Sequence, residues 1–141
     1  MQWMNDLVDF GMMGLLGALS FLALAVVVER WLVYRKLEPG AFKSRKQLEL
    51  VLSTRLHLLA TIGSNAPYLG LLGTVLGIML TFYNLGQSGQ MDSGKIMTGL
   101  ALAMKVTALG LVVAIPTVTA YNLLQRRAKV LLMRWEIAQE A

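Results

Sequence analysis

The 141-residue chain has no cysteine, which excludes disulfides, thiolate metal sites and thiol nucleophiles and leaves the redox compartment unmarked. Charge is scarce too. Charged residues make up 15% of the chain against 56% hydrophobic, and the mean hydropathy is +0.59, unlike an average soluble domain. The scarcity is concentrated. Residues 10–28 and 106–124 are uncharged, and no Asp, Glu, Lys or Arg lies between Arg55 and Asp92. Nineteen helical residues rise about 28 Å, close to the hydrocarbon thickness of a bilayer. Three transmembrane helices are therefore predicted. The first nine residues carry Asp6 and Asp9 but no Lys or Arg, so the first run lacks the basic start of a signal peptide and reads as a retained helix.

Catalytic constellations are missing as well. There is no HExxH, no serine–histidine arrangement and no paired carboxylates, so an enzyme is not expected. His57 is a lone histidine without a second ligand, and neither a metal nor a cofactor is expected. "GLLGTVLG" is only superficially a phosphate loop, because no Lys-Ser/Thr follows it. No carboxylate occurs between Asp9 and Glu29, between Arg55 and Asp92, or between Lys105 and Arg126. By composition, the chain supplies no titrating acid inside the membrane.

The charges that are present report topology. Seven of the thirteen basic residues lie from Arg30 to Arg55, four more (Arg126, Arg127, Lys129, Arg134) follow the third span, and none precedes the first. The positive-inside rule then puts the amino terminus outside and the 30–60 segment and carboxyl tail inside. Three spans satisfy this, so the net charge of +5 reflects orientation rather than nucleic-acid binding. The predicted order is a first span at about 7–28, a cytoplasmic segment at 29–62 and a second span at about 63–85. A periplasmic loop at 86–95, a third span at about 96–124 and a cytoplasmic tail at 125–141 complete a single unit. Trp3, Trp31 and Tyr34 suit the headgroup belts, and membrane lipid is an expected partner. Gly11, Gly14 and Gly17 would allow close helix approach. Glu29 and Arg30 close span 1 as an interfacial anchor or an intersubunit pair.

In the inner segment, Ser44 and Gln47 fit a capping box. Leu48, Val51, Leu52, Leu56 and Leu59 then recur at helical spacing. "GSNAP" (63–67) is either a fresh helix start, capped by Ser64 or Asn65 with Pro67 in its first turn, or a kink in a continuous helix. The tail "LLQRRAKVLLMRWEIAQ" is expected to extend span 3 into the cytoplasm.

Both later spans carry a stripe of small residues. On a wheel of about 100° per residue, Ala66, Gly70, Gly73, Thr74, Gly77 and Thr81 share one face of span 2. In span 3, Gly99, Ala103, Thr107, Gly110, Ala114 and Thr117 do the same, and Tyr121 prolongs the line. Pro116 cannot donate to the Val112 carbonyl, which frees that acceptor. Such stripes read either as a packed helix seam or as the wall of a conduit. Lys105, nearly opposite the span 3 stripe, snorkels to headgroups, pairs at a subunit interface or, least in keeping with its position, lines a pore.

"LLATIGSNAPYLGLLGTVLGIMLTF" (58–82) and "GLALAMKVTALGLVVAIPTVTAYNLL" (99–124) resemble the second and third membrane helices of the MotA/TolQ/ExbB proton channel family. With "VERW" closing span 1, the resemblance covers nearly the whole chain and is nearest to the ExbB branch. It implies a homo-oligomer in the bacterial inner membrane, commonly a pentamer, around a central pore holding an ExbD-like single-span partner. Proton flow would then drive motion that reaches a TonB-like protein. By motif match, Thr74 and Thr107 face that pore, with Thr81 and Thr117 further along the two stripes. Gly70, Gly73, Gly77, Gly99, Gly110, Ala114, Pro67 and Pro116 would pack the helices around it. The chain departs from the family in its short inner segment and in carrying Leu102 where many ExbB members have Glu. The resemblance also implies that the partner's membrane Asp supplies the acid this chain lacks. A TolQ-like role in the Tol–Pal system and a non-conducting membrane scaffold are the alternatives.

Overall fold

The computed structural model describes residues 2–89 and 92–140 as an all-α chain. Helix α1 covers Gln2–Lys36, α2 Arg45–Ser53, α3 Leu56–Ser88 and α4 Ser93–Glu140, with a 3-10 turn at Pro39–Ala41 between α1 and α2. The 48 residues of α4 extend roughly 72 Å, more than twice the hydrocarbon thickness. Its last turns must therefore stand clear of the bilayer, as expected for the tail.

Helices α1, α3 and α4 are each long and apolar enough to cross a membrane, yet at most 17% of the best apolar window of any of them is buried within the chain. Phe10, Phe21, Leu71, Phe82, Val112 and Ile115 are all exposed. Apolar surface on that scale must meet lipid or other chains, as in a multi-pass membrane protein.

Helices α3 and α4 pack together extensively, and α1 lies against both. The α3–α4 connection defines one end of the bundle, called the loop end below. Gly89 closes α3 there at φ +68, its N–H donating to the Leu85 carbonyl at 3.0 Å, a left-handed cap that glycine adopts without strain. Residues 90–91 of the expected 86–95 loop lie outside the described residues. At the opposite, basic end, Leu48, Leu52, Leu59 and Leu131 form a buried core with Ala23 and Val26.

The inner segment differs from expectation in where it breaks. The 63–67 stretch is uninterrupted helix within α3. Ser64 Oγ and Asn65 Nδ2 both donate back to the Thr61 carbonyl, at 3.2 and 2.8 Å, instead of capping a new helix. Pro67 is accommodated inside that helix. The break falls earlier, at Thr54–Arg55, where Arg55 takes φ 65, uncommon for a residue with a Cβ. Leu48 and Leu52 thus sit on α2, and Leu56 and Leu59 on α3. Ser44 does cap α2, but it accepts the Lys46 N–H at 3.2 Å rather than that of Gln47.

Two expected interfacial groups hold this corner from inside the chain. Arg30 is only 5% exposed; its guanidinium donates to the Val51 carbonyl at 2.7 Å and pairs with Glu29 at 2.9 Å. Glu29 also pairs with Arg55, tethering the left-handed residue. The Glu29–Arg30 pair is therefore intrachain, because a buried guanidinium has no access to headgroups. Tyr34 is likewise buried, at 2% exposure, with its hydroxyl donating to the Leu52 carbonyl; Trp3 and Trp31 remain exposed, as a belt requires. Arg30→Met should free the end of α2 at a cost of about 1–3 kcal/mol. Hydrogen exchange of the α2 amides is expected to speed up roughly 10- to 100-fold with the three long helices unchanged.

A hydroxyl pair at the glycine crossing of two membrane helices

The two small-residue stripes meet each other. A Cβ placed on Gly110 would lie 2.7 Å from the Ala66 carbonyl oxygen and 3.0 Å from Gly70 Cα. One placed on Gly70 would lie 3.0 Å from the Val106 carbonyl oxygen. The α3 and α4 backbones touch here, and only residues without a Cβ permit it. Gly77 lies against Ala103, and Gly99 against Thr81, at similarly short range. Ala114 is buried in the same cluster as Ala66 and Val106. Gly11, Gly14 and Gly17 behave otherwise: among the described residues a Cβ on any of them meets nothing within 4 Å, so no described helix approaches that face.

The close crossing brings Thr74 of α3 and Thr107 of α4 into hydroxyl–hydroxyl contact. Both are half-buried. Thr74 Oγ1 donates to the Ala103 carbonyl at 2.9 Å, with the Gly70 carbonyl a longer alternative at 3.3 Å. Thr107 Oγ1 donates to the Gly70 carbonyl at 3.2 Å. Two protons thus serve Gly70, Ala103 and the two hydroxyl oxygens, and each hydroxyl keeps lone pairs. Such a pair can accept from a carboxylic acid or, by turning one proton, donate to a carboxylate. It cannot itself store a transferred proton at physiological pH.

The other predicted residues are dispersed around this pair. Thr81 is half-buried two turns along α3 toward the loop end, its hydroxyl donating to the Gly77 carbonyl at 2.9 Å. Thr117, on the basic side, is only 6% exposed and donates to the Val113 carbonyl at 2.7 Å. Pro116 stays within continuous helix. Together with Ser20 and Val27 of α1, it lines a groove of about 220 Å³. Lys105 is exposed and within electrostatic reach of Asp9. His57 is exposed.

Sequence reasoning missed one feature. At the loop end a cavity of about 650 Å³ opens between the helices, walled by Asn5, Thr81, Asn84, Asp92 and Thr98 among others. Its signals were Asn5 near the start of α1 and the continuation of the α3 stripe to Asn84, and neither is conspicuous in an apolar chain.

Residues 33–137 match the model of the MotA/TolQ/ExbB proton channel family. The chain is 53% identical over 136 residues to "Biopolymer transport protein ExbB" of Aquifex aeolicus, covering 96% of this chain and 92% of that protein. It is 50% identical over 134 residues to "Putative biopolymer transport protein ExbB-like 2" of Helicobacter pylori, covering 95% and 89%. "Tol-Pal system protein TolQ" of Pseudomonas aeruginosa is 44% identical over 84 residues, 60% of this chain and 36% of that one.

Proposed function

Because the chain belongs to the MotA/TolQ/ExbB proton channel family, we propose that it is the energising subunit of an inner-membrane proton channel, working with an ExbD-like partner to drive TonB-dependent import across an outer membrane. In this reading several copies, five by the family's habit, surround the partner's single span. The amino terminus and loop end face the periplasm, and the basic end faces the cytoplasm. The observation that carries the reading is the Thr74–Thr107 pair, half-buried in the apolar stretches of α3 and α4, which hold no carboxylate between residues 56 and 88 or between residues 93 and 135.

Ionising an acid in hydrocarbon is expensive, and hydroxyls beside it lower that cost. A partner carboxylate that alternates between charged and neutral would find in Thr74 and Thr107 a donor in one state and an acceptor in the other. A proton crossing 100 mV releases about 2.3 kcal/mol, enough to bias a packed interface between two arrangements. The TonB assignment is favoured over a Tol–Pal one because the ExbB-named relatives of Aquifex aeolicus and Helicobacter pylori match almost end to end, whereas the TolQ-named one, like the ExbB-named proteins of Neisseria, matches over little more than half of the chain.

The test is to express the chain with a neighbouring single-span protein that bears one membrane Asp, purify the complex and measure proton flux in vesicles. Flux should require both chains and should fall at least tenfold when the partner's Asp becomes Asn. A complex that assembles but conducts no better than empty vesicles would favour the non-conducting scaffold. Failure of the two chains to co-purify would remove the partner from the reading.

A further inference from the structure

We infer that Asp9, on the first helix, is the proton-accepting group through which the channel loads from the loop end. A second, smaller cavity of about 40 Å³ lies between α1, α3 and α4, and Asp9 lines it with Gly77, Thr81, Gly99 and Ala103. It shares Asn5, Thr81, Gly99 and Leu102 with the 650 Å³ cavity at the loop end, so the two adjoin. Roughly 15 Å³ suffices to hold a water, and Asp9 and Asn5 offer it polar partners.

The small cavity sits next to the hydroxyl pair. Gly77 is three residues beyond Thr74 on α3, about 4.5 Å along the axis. Ala103, in the same wall, accepts the Thr74 hydroxyl at its carbonyl. Asp9 therefore stands about one helical turn toward the loop end from the threonines, and the wide cavity continues outward from it. Within the wide cavity, Asn84 Oδ1 is buried without a hydrogen-bond partner among the described residues, an acceptor that water would satisfy. The charged groups facing Asp9 are Asp6 on its own helix and Lys105 on α4; Gly77, Leu80 and Thr81, which α3 contributes to the wall, are uncharged. Asp92 and Lys95 line the wide cavity further out.

The step is a plain proton transfer. Hydronium in the wide cavity gives its proton to the Asp9 carboxylate, leaving water and a carboxylic acid. That acid then returns the proton, through water in the small cavity, to a carboxylate on the partner helix beside Thr74 and Thr107, and Asp9 is ionised again. This rests on the channel reading above, because the final acceptor belongs to the partner.

The experiment uses the reconstituted complex. Asp9→Asn should still assemble, elute as wild type and lower flux at least tenfold. Its flux should no longer respond to pH on the loop-end side. Asp9→Glu should retain at least a third of the flux, and the exposed control Glu38→Gln, beyond the opposite end of α1, should stay within threefold of wild type. Infrared titration of the complex should also show a protonated-carboxyl band that Asp9→Asn removes.

If the wild-type complex conducts and Asp9→Asn conducts equally well, the Asp9 assignment is overturned while the channel stands. If the wild type itself shows no partner-dependent flux, the channel reading fails and the assignment fails with it. A structural ion pair makes a different prediction: Lys105→Gln as damaging as Asp9→Asn, with function restored in the double variant. That pattern would also overturn the assignment.

Discussion

Gly110→Leu is expected to abolish assembly of a stable chain, the largest structural effect of any single substitution in the membrane region. The Cβ alone would come within 2.7 Å of the Ala66 carbonyl oxygen and 3.0 Å of Gly70 Cα. Both are backbone atoms, which no rotamer change can move aside. Overpacking a tight core costs about 1–3 kcal/mol even when side chains can yield, and here the helices must separate. Separation would break the Thr74–Thr107 contact and withdraw Thr107 from the Gly70 carbonyl. Gly110→Ala should already lower thermal stability in detergent, because its Cβ makes those same contacts. Gly86→Ala is the control: nothing lies within 4 Å of its Cβ, and alanine should add up to about 1 kcal/mol of helix propensity. If Gly110→Leu purifies with wild-type yield and melting temperature, α3 and α4 do not cross as described.

The periodic, one-dimensional features were legible in the sequence. Three apolar runs became three long helices, and the tail continued α4 because nothing between Leu124 and Glu140 breaks helical spacing. The family was legible from the Ala-Pro-x-Leu-Gly-Leu-Leu-Gly-Thr-Val run, which proved part of a full-length likeness. The stripes were legible as stripes, but a wheel shows only that a face is thin. That the faces of α3 and α4 meet each other is set by two glycines forty residues apart in the chain, Gly70 and Gly110.

A tertiary contact outweighed a local signal in several places. "GSNAP" allowed either a fresh helix start or a continuous helix, and Ser64 and Asn65 turn back to Thr61, so the helix continues. The actual break needs Glu29, twenty-six residues away, to hold Arg55, and no local pattern announces that. Tyr34 looked like a belt residue because tyrosine favours interfaces; the carbonyl at the end of α2 gave its hydroxyl a buried partner instead. Asp9 was discounted by counting carboxylates along the chain. Counting treats it as the edge of a span, whereas the fold places it in the wall of a cavity shared with α3 and α4.

The second large effect is expected at the hydroxyl pair. Thr74→Val with Thr107→Val should leave the fold nearly unchanged and lower partner-dependent proton flux roughly 10- to 150-fold. The structural half follows from bookkeeping of polar groups. The Gly70 and Ala103 carbonyls lie inside continuous helices, where backbone N–H groups four residues on already serve them. Losing the hydroxyls therefore strands no acceptor, and replacing both partners by groups of the same shape is close to neutral. The functional half follows from charge. A hydrogen bond to an ionised group contributes about 1.5–3 kcal/mol, and each 1.36 kcal/mol is a factor of ten in rate. Because the two hydroxyls share their protons, each single valine variant should cost nearly as much as the pair, and serine at either site should keep most of the flux. Flux that survives in the double valine variant would show that the pair only packs α3 against α4. Losses from the two single variants that simply multiply in the double would instead mean that each threonine meets the partner on its own, which is not what their mutual contact implies.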